Sequence, residues 1–397
     1  MRAERTMDRH LRQHAAMDPD MRPAKARATE SDAPLRLGIV GCGDVAYRHY
    51  LPVLEADAAR VSITSVMDTR LGAAQGLAQH IAPWAPDARA FDSLDAMLEA
   101  GGLDGVIDLA PAPHHGAVNE AVLAAGVSLY TEKPLASTVE QADRLIEIAQ
   151  QADVTFLSAP GEAATRRMQW LDELVKSGRY GRPTLVFAHH ADPGPAAWRE
   201  YTGDPRPFYG PGVGPVIDHG VYRLHQMTLL LGPVARVQAM GTISKPERVA
   251  RGGPLSGQPV SVTTPDHVLI NMEFASGALG QLLASFATAA SLMPWLEVHL
   301  EGASISFGGH SWEMDSPVSL YVDDGTMEAQ EGWQHGLEIP VDELSVVESG
   351  ARHFVDVLLG EAEPVLTAEH ARHVLDIVVK AYASIEDGAT HATETTF

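Results

Sequence analysis

Cysteine is all but missing from this chain: Cys42 stands alone, so neither a disulfide framework nor a thiolate metal site can be drawn, and a reducing cytoplasm is the expected compartment. Basic residues are scarce too. Lysine and arginine number 29 against 52 aspartates and glutamates, and the net charge of -23 argues against nucleic acid or an anionic membrane as partner. No run of about 18 apolar residues occurs, so no membrane span is expected. Residues 1–34 contain no aromatic residue and no apolar centre of the kind a secretion signal needs. They read as a disordered N-terminal extension with too little apolar surface to offset the entropy of ordering.

What is there begins at residue 35. Leu37-Gly38-Ile39-Val40 runs into Gly41-Cys42-Gly43-Asp44-Val45-Ala46, and a second apolar run, Val61 to Met67, ends on Asp68. That order is strand, glycine turn, helix, strand, acid. Gly41 and Gly43 let the backbone turn tightly and approach a pyrophosphate, and small Ala46 lets the helix pack on the strand. The helix N-terminus at Asp44 and Val45 offers N–H donors to phosphates. Asp68 lies where a carboxylate accepts hydrogen bonds from ribose hydroxyls, which favours NAD over NADP. Arg70, two residues on, can accept the extra phosphate, so NADP is possible.

The chain is long enough for two domains of roughly 100–200 residues each. Between 35 and 158 short apolar runs alternate with helical ones. Strands are expected over 36–40, 62–67, 105–109, 128–131 and 155–158, with helices over 93–100, 117–125 and 139–151. Strict alternation implies a parallel sheet, hence an α/β fold with an N-terminal Rossmann dinucleotide-binding domain. From 159 to 397 the rhythm changes. A helix over 164–177 precedes a Pro- and Gly-rich loop, 192–214, and a helix over 216–231; period-two runs follow at 235–243, 267–274, 278–286 and 296–302. Residues 244–264 and 308–335 read as loops, and a last helix spans 368–387, stopping before Gly388.

Two constellations can carry chemistry. Glu132-Lys133-Pro134 follows the fourth of the expected strands, where ligands of open parallel sheets bind, and an ammonium there can hold a substrate hydroxyl and stabilise an oxyanion. Asp218, Tyr222 and His225 fall on one face of a helix at about 100° per residue. A phenol with a reference pKa of about 10 is a poor base, but a nearby ammonium lowers such a value, so Lys133 and Tyr222 make a plausible proton-handling pair. Asp218 can orient the substrate or balance the lysine. Trp198 and Arg199 are candidate substrate contacts. His189-His190 and His114-His115 are each too close in sequence for one metal geometry, and no spacing completes a site, so no metal is expected.

These residues resemble the Gfo/Idh/MocA oxidoreductases over nearly all of 35–390. The glycine turn with His49 and Pro52, the segment Ala110-Pro111-Ala112-Pro113-His114-His115, and Glu132-Lys133-Pro134 are similar to the family's motifs. The family's helix pattern Asp-x-Gly-x-His-x-x-Asp is met at Asp218 and Gly220, with Tyr222 for the histidine and His225 for the last aspartate. Tyrosine there is usual in the branch resembling glucose-fructose oxidoreductase and dihydrodiol dehydrogenase, where it donates and accepts the proton. The resemblance implies that Ala110, Pro111, His115, Glu132 and Lys133 line the cofactor. It implies a C-terminal α+β domain with a large open, mostly antiparallel sheet that forms a homodimer or homotetramer. The last helix, with Tyr382, Ser384 and Gly388, would pack back on the first domain.

The expected function is an NAD(P)-dependent oxidoreductase moving a hydride between nicotinamide and a secondary hydroxyl or ketone of a sugar, cyclitol or glycoside. Two rivals stay open. One is an enzyme whose tightly bound NAD is recycled in situ for epimerisation, elimination or glycoside cleavage; the other is a non-catalytic dinucleotide-sensing regulator.

Overall fold

The computed structural model describes residues 33–309, 315–323 and 332–397. The extension expected at 1–34 thus lies outside the described residues as far as residue 32.

Six parallel strands form the first sheet: β1 (Leu35–Val40), β2 (Val61–Met67), β3 (Arg89–Phe91), β4 (Gly105–Asp108), β5 (Ser128–Thr131) and β6 (Phe156–Ser158). Their order is β3-β2-β1-β4-β5-β6, the dinucleotide-binding arrangement. Strand β3 had no counterpart among the expected elements, because three half-exposed residues carry no periodic signal. The connecting helices are α1 (Leu51–Ala56), α2 (Leu71–Ile81), α3 (Leu94–Glu99), α4 (Ala112–Ala124) and α5 (Val139–Ala152). Ser93 and Thr138 cap α3 and α5, their hydroxyls accepting the N–H groups of Ala96 and Gln141. Helix α4 starts five residues earlier than expected. Pro113 sits in its first turn, where a missing N–H costs nothing.

The second layer is a nine-stranded sheet. Its strands are β7 (Pro183–Ala191), β8 (Val234–Thr242), β11 (His267–Phe274), β12 (Leu279–Ser285), β13 (Leu296–Leu300), β14 (Ala303–Phe307), β15 (Val318–Val322), β16 (Gln334–His335) and β17 (His391–Ala392). The β7–β12 pair is parallel and every other neighbouring pair antiparallel. Two expected loops need correction. Within 244–264, β9 (Glu247–Val249) and β10 (Pro259–Ser261) pair as a small ribbon, and 308–335 contains β15 and β16. Strand β7, in the middle of the sheet, was not foreseen: its C-terminal half buries His189 and His190, which obscures the alternation.

Helices α6 (Arg166–Lys176), α7 (Val221–Leu231), α8 (Val346–Leu358) and α9 (Ala368–Asp387) complete the α-helices among the described residues. Helix α8 was missed although Ser345 and Glu348 form a complete capping box at its start. It places Phe354 and Val355 in the core of the first sheet beside Tyr50 and Tyr130. Helix α9 has two buried faces. Val374, Ile377, Val378 and Ala381 join the core of the second sheet, while Ala368, Ala371 and Leu375 join that of the first. Arg372 also pairs with Asp143 of α5 at 2.7 Å.

Candidate active site

Gly41 adopts φ +91°, and a Cβ there would lie 2.6 Å from the Leu109 carbonyl, so only glycine fits. A Cβ on Gly43 would project into open space, which leaves its backbone reachable by a phosphate. Asp68 closes this end of β2. Its Oδ2 accepts the Cys42 N–H at 3.1 Å and its Oδ1 accepts the Arg70 N–H at 2.9 Å. Burial opposes its charge, but those two N–H groups and the Arg70 guanidinium outweigh burial and hold the carboxyl below its ordinary pKa. Asp68 is therefore an ionised acceptor at the rim, with the Arg70 side chain, 75% exposed, beside it. Val45 is exposed, and Asp44 pairs with Arg48 and accepts a hydrogen bond from Thr202 of the long loop.

His115 lies beneath this surface, 1% exposed. Its ring nitrogens face the carbonyls of Ala110 and Pro134, each at 2.7 Å. It ties the Ala110-Pro111 turn to the loop after β5 and so supports that turn from below. Asp108 accepts the Ala110 N–H in the same network, and burial pushes its pKa up to about 6.

Glu132 accepts hydrogen bonds from the Tyr50 hydroxyl at 2.6 Å and the Lys133 N–H at 3.1 Å, which fixes the strand end. The Lys133 ammonium then reaches across to the second layer. It donates to the Asp218 carbonyl at 2.7 Å and to Asp218 Oδ1 at 3.2 Å, and it lies 5.4 Å from the centre of the Tyr222 ring. Lys133, Asp218 and Tyr222 are thus one cluster. The expected drop in the Tyr222 pKa is overturned: burial first, then the charges of Glu132 and Asp218, push it well above 10. The ammonium sits over the ring face, and carboxylates surround the phenol. Burial and these carboxylates favour the protonated phenol.

His225 does not join the cluster. Its ring packs on His370 of α9 at 4.7 Å, and burial, then His370 and His373, push its pKa well below 6.5. Val216–Gly220 is a π-helical turn ahead of α7, so Asp218 lies in that turn while Tyr222 and His225 lie in the regular helix after it. Trp198 stacks on His219 at 5.6 Å, and Arg199 is exposed at the loop surface.

Sequence reasoning missed His190, Asp192 and His219, whose potential ligand atoms all lie within 4.8 Å of one another. His190 is the last residue but one of β7, Asp192 follows the strand on the same side, and His219 neighbours Asp218. The signal was present: alternation sends His189 and His190 to opposite faces, so the partner of His190 is Asp192, not His189. Burial pushes the His190 pKa down to about 3 and lowers that of His219, leaving both imidazoles neutral.

With this geometry in view, the comparisons are consistent. The model of the oxidoreductase family with an NAD-binding Rossmann fold, GFO/IDH/MocA, matches residues 35–159, and that of the GFO/IDH/MocA C-terminal domain matches 168–306. The chain belongs to the Gfo/Idh/MocA family of NAD(P)-dependent oxidoreductases, which act on CH–OH groups. It is 26% identical over 68% of its length to dTDP-3,4-didehydro-2,6-dideoxy-alpha-D-glucose 3-reductase of Actinomadura kijaniata, covering 80% of that protein. It is 23% identical to the NADP(+) D-xylose 1-dehydrogenase of Haloarcula marismortui, covering 91% of this chain and 94% of that one. In fold it matches a super-repressor mutant of Gal80p from Saccharomyces cerevisiae, with TM-score 0.76, 18% identity, and coverage of 91% and 98%. The scaffold therefore serves a repressor as well as enzymes, and only the site can tell them apart. No helix among the described residues is long and apolar enough to cross a membrane.

Proposed function

We propose that this protein reduces a ketone, or in reverse oxidises a secondary hydroxyl, on a sugar, cyclitol or glycoside. The observation that carries the reading is the Lys133–Asp218–Tyr222 cluster at the carboxyl end of β5. A dinucleotide sensor needs neither an ammonium held on a carboxylate nor a buried phenol beside it. Relatives named as acting on a keto-sugar nucleotide and on xylose agree in substrate class.

Gly41, Gly43 and the N–H groups at Asp44 and Val45 would hold the pyrophosphate, Asp68 the ribose, and the Ala110-Pro111 turn and Glu132-Lys133 the nicotinamide end. The nicotinamide supplies the hydride acceptor or donor. Lys133 donates a hydrogen bond to the reacting oxygen and stabilises negative charge as it develops there. Asp218 holds the lysine by carbonyl and carboxylate and keeps it directed. Tyr222, protonated because burial and surrounding carboxylates raise its pKa, gives its proton to that oxygen in the reducing direction. Trp198 and Arg199, both within the 192–214 loop, contribute to the substrate side.

Asp68 favours NAD, and Arg70 keeps NADP within reach. On the outer face of the second sheet Met240 and Leu269 sit opposite each other, both exposed along with Phe187 and Leu279. Assembly as a homodimer or homotetramer would cover them. Low cysteine use suits a cytoplasmic setting. The division proposed is a Rossmann domain over 35–158 and a substrate domain over 159–397.

The test titrates the full chain with NADH and NADPH by fluorescence, then follows nicotinamide absorbance with a panel of sugars, cyclitols and their ketones. Lys133→Met and Tyr222→Phe should keep cofactor binding and lose turnover. Unchanged turnover in both variants would sink the mechanism.

A further inference from the structure

We propose that His190, Asp192 and His219 form a two-histidine, one-carboxylate site for a divalent cation of the zinc class, with open coordination positions beside Asp218 for a substrate oxygen. This goes beyond the hydride chemistry proposed above and stands or falls separately from it.

The donor set comes first. Two imidazoles and a carboxylate make the three-ligand complement of a zinc site that keeps a position for water or substrate. The spacing agrees. Ligand atoms of tetrahedral zinc lie about 3.4 Å apart, given bonds of about 2.0–2.1 Å. His190 Nε2 lies 3.5 Å from Asp192 Oδ2, and His219 Nδ1 lies 3.8 Å from the same oxygen. Both are close to the separation of two ligands on one ion.

Groups behind the ligands hold them in the orientation a metal needs. Asp192 Oδ1 accepts the Gly194 N–H at 2.7 Å, which leaves Oδ2 to face the histidines. Asp218 Oδ2 lies 3.4 Å from His219 Nε2, placing a carboxylate behind the imidazole and leaving Nδ1 to ligate. Trp198 stacks on the His219 ring and Phe286 meets its plane edge-on, which fixes the ring rotation. Two cations act on the imidazoles, and each is matched. Lys133 faces Asp218 Oδ1, and Arg223 is linked through Gln226 to Glu162.

Asp218 thus connects the two centres, one oxygen on Lys133 and the other toward His219. A cation here would bind a second oxygen of the substrate, next to the one that Lys133 holds. Adjacent hydroxyls or a hydroxyl and a carboxylate are the chemistry such a pair recognises.

The experiment strips the full-length protein with a chelator, removes the chelator, and titrates it with Co²⁺ at neutral pH by visible absorption and calorimetry, without cofactor or substrate. One equivalent should bind with ligand-field bands of a low-coordinate nitrogen and oxygen site, and Zn²⁺ should compete for the same single equivalent. Asp192→Asn and His190→Gln should each weaken binding about ten-fold or more, and Asp218→Asn about ten- to hundred-fold. The proposal is overturned if the native chain shows no saturable Co²⁺ or Zn²⁺ binding, or if both ligand variants bind as well as the native chain. Should one variant not fold, the other variant and the native stoichiometry decide. Because no turnover is read, failure here leaves the dehydrogenase reading untouched.

Discussion

The dinucleotide turn and the pocket across from it are built from different materials. The turn is a single stretch of chain whose working parts are backbone N–H groups and two glycines, with one carboxylate, Asp68, at its rim. The pocket gathers side chains from the loop after β5, the π-turn and α7, and brings a half-buried lysine against a buried aspartate and a buried phenol. A backbone-built site is hard to damage through side chains, whereas a buried side-chain cluster fails when one member is lost. Binding and chemistry should therefore separate cleanly under mutation.

The largest effect belongs to the pocket. Tyr222→Phe removes the proton donor and should lower kcat for ketone reduction by about 10²–10⁴-fold, with NADH affinity unchanged. Since the Tyr222 pKa is raised well above 10, the native rate of reduction should show no loss from phenol ionisation as pH rises through 8 and 9. A basic limb near pH 8 that Tyr222→Phe abolishes would contradict the assignment. Lys133→Met comes next, at about 10²–10³-fold, since it removes one hydrogen-bond donor to the developing charge.

On the turn, the two glycines should behave oppositely. Gly41→Ala forces a positive φ and a 2.6 Å clash with the Leu109 carbonyl, so it should lower Tm and impair folding. Gly43→Ala meets nothing, so it should fold normally and lose cofactor affinity because its methyl occupies the phosphate's space. Equal stability loss in both would break the contrast. Smaller again, Asp68→Ala should weaken NADH binding by about ten-fold, one hydrogen bond to a charged group, and Arg70→Ala should cost NADPH more than NADH.

The smallest effect lies at the seam between the layers. Burial, then neighbouring His373, pushes the His370 pKa down to about 3, against about 6.5 in an unfolded chain. The unfolded state takes up the proton first, so this stability is present above about pH 6.5 and is lost as pH falls toward 3. Tm should drop between pH 7 and pH 5, and His370→Gln should flatten that slope.

Legibility in the sequence followed the same division. The turn, Asp68 and Glu132-Lys133 could be read because each is local: a few adjacent residues and the strand that delivers them. The pairing of Lys133 with Asp218 and Tyr222 followed from helix spacing and chemistry. That His225 packs on His370 could not be read, because α9 arrives from the far end of the chain. The direction of the Tyr222 pKa was missed because it depends on burial and on Glu132, which sequence distance hides. Strand β7 and the His190–Asp192–His219 group escaped for one shared reason. Polar residues inside a buried strand look like a loop until their partners arrive from elsewhere in the chain.

Helix α9 carries a mechanical consequence. One of its faces is sealed into the core of the first sheet and another into that of the second, and Arg372 anchors it to α5. The two halves cannot swing apart as rigid jaws without tearing apolar surface off one side of that helix. Traffic through the cleft then falls to its covering segment, the 192–214 loop, whose hold on the opposite half includes the Thr202 hydroxyl resting on Asp44. The 192–214 loop, rather than the joint between the two layers, is then the segment expected to open.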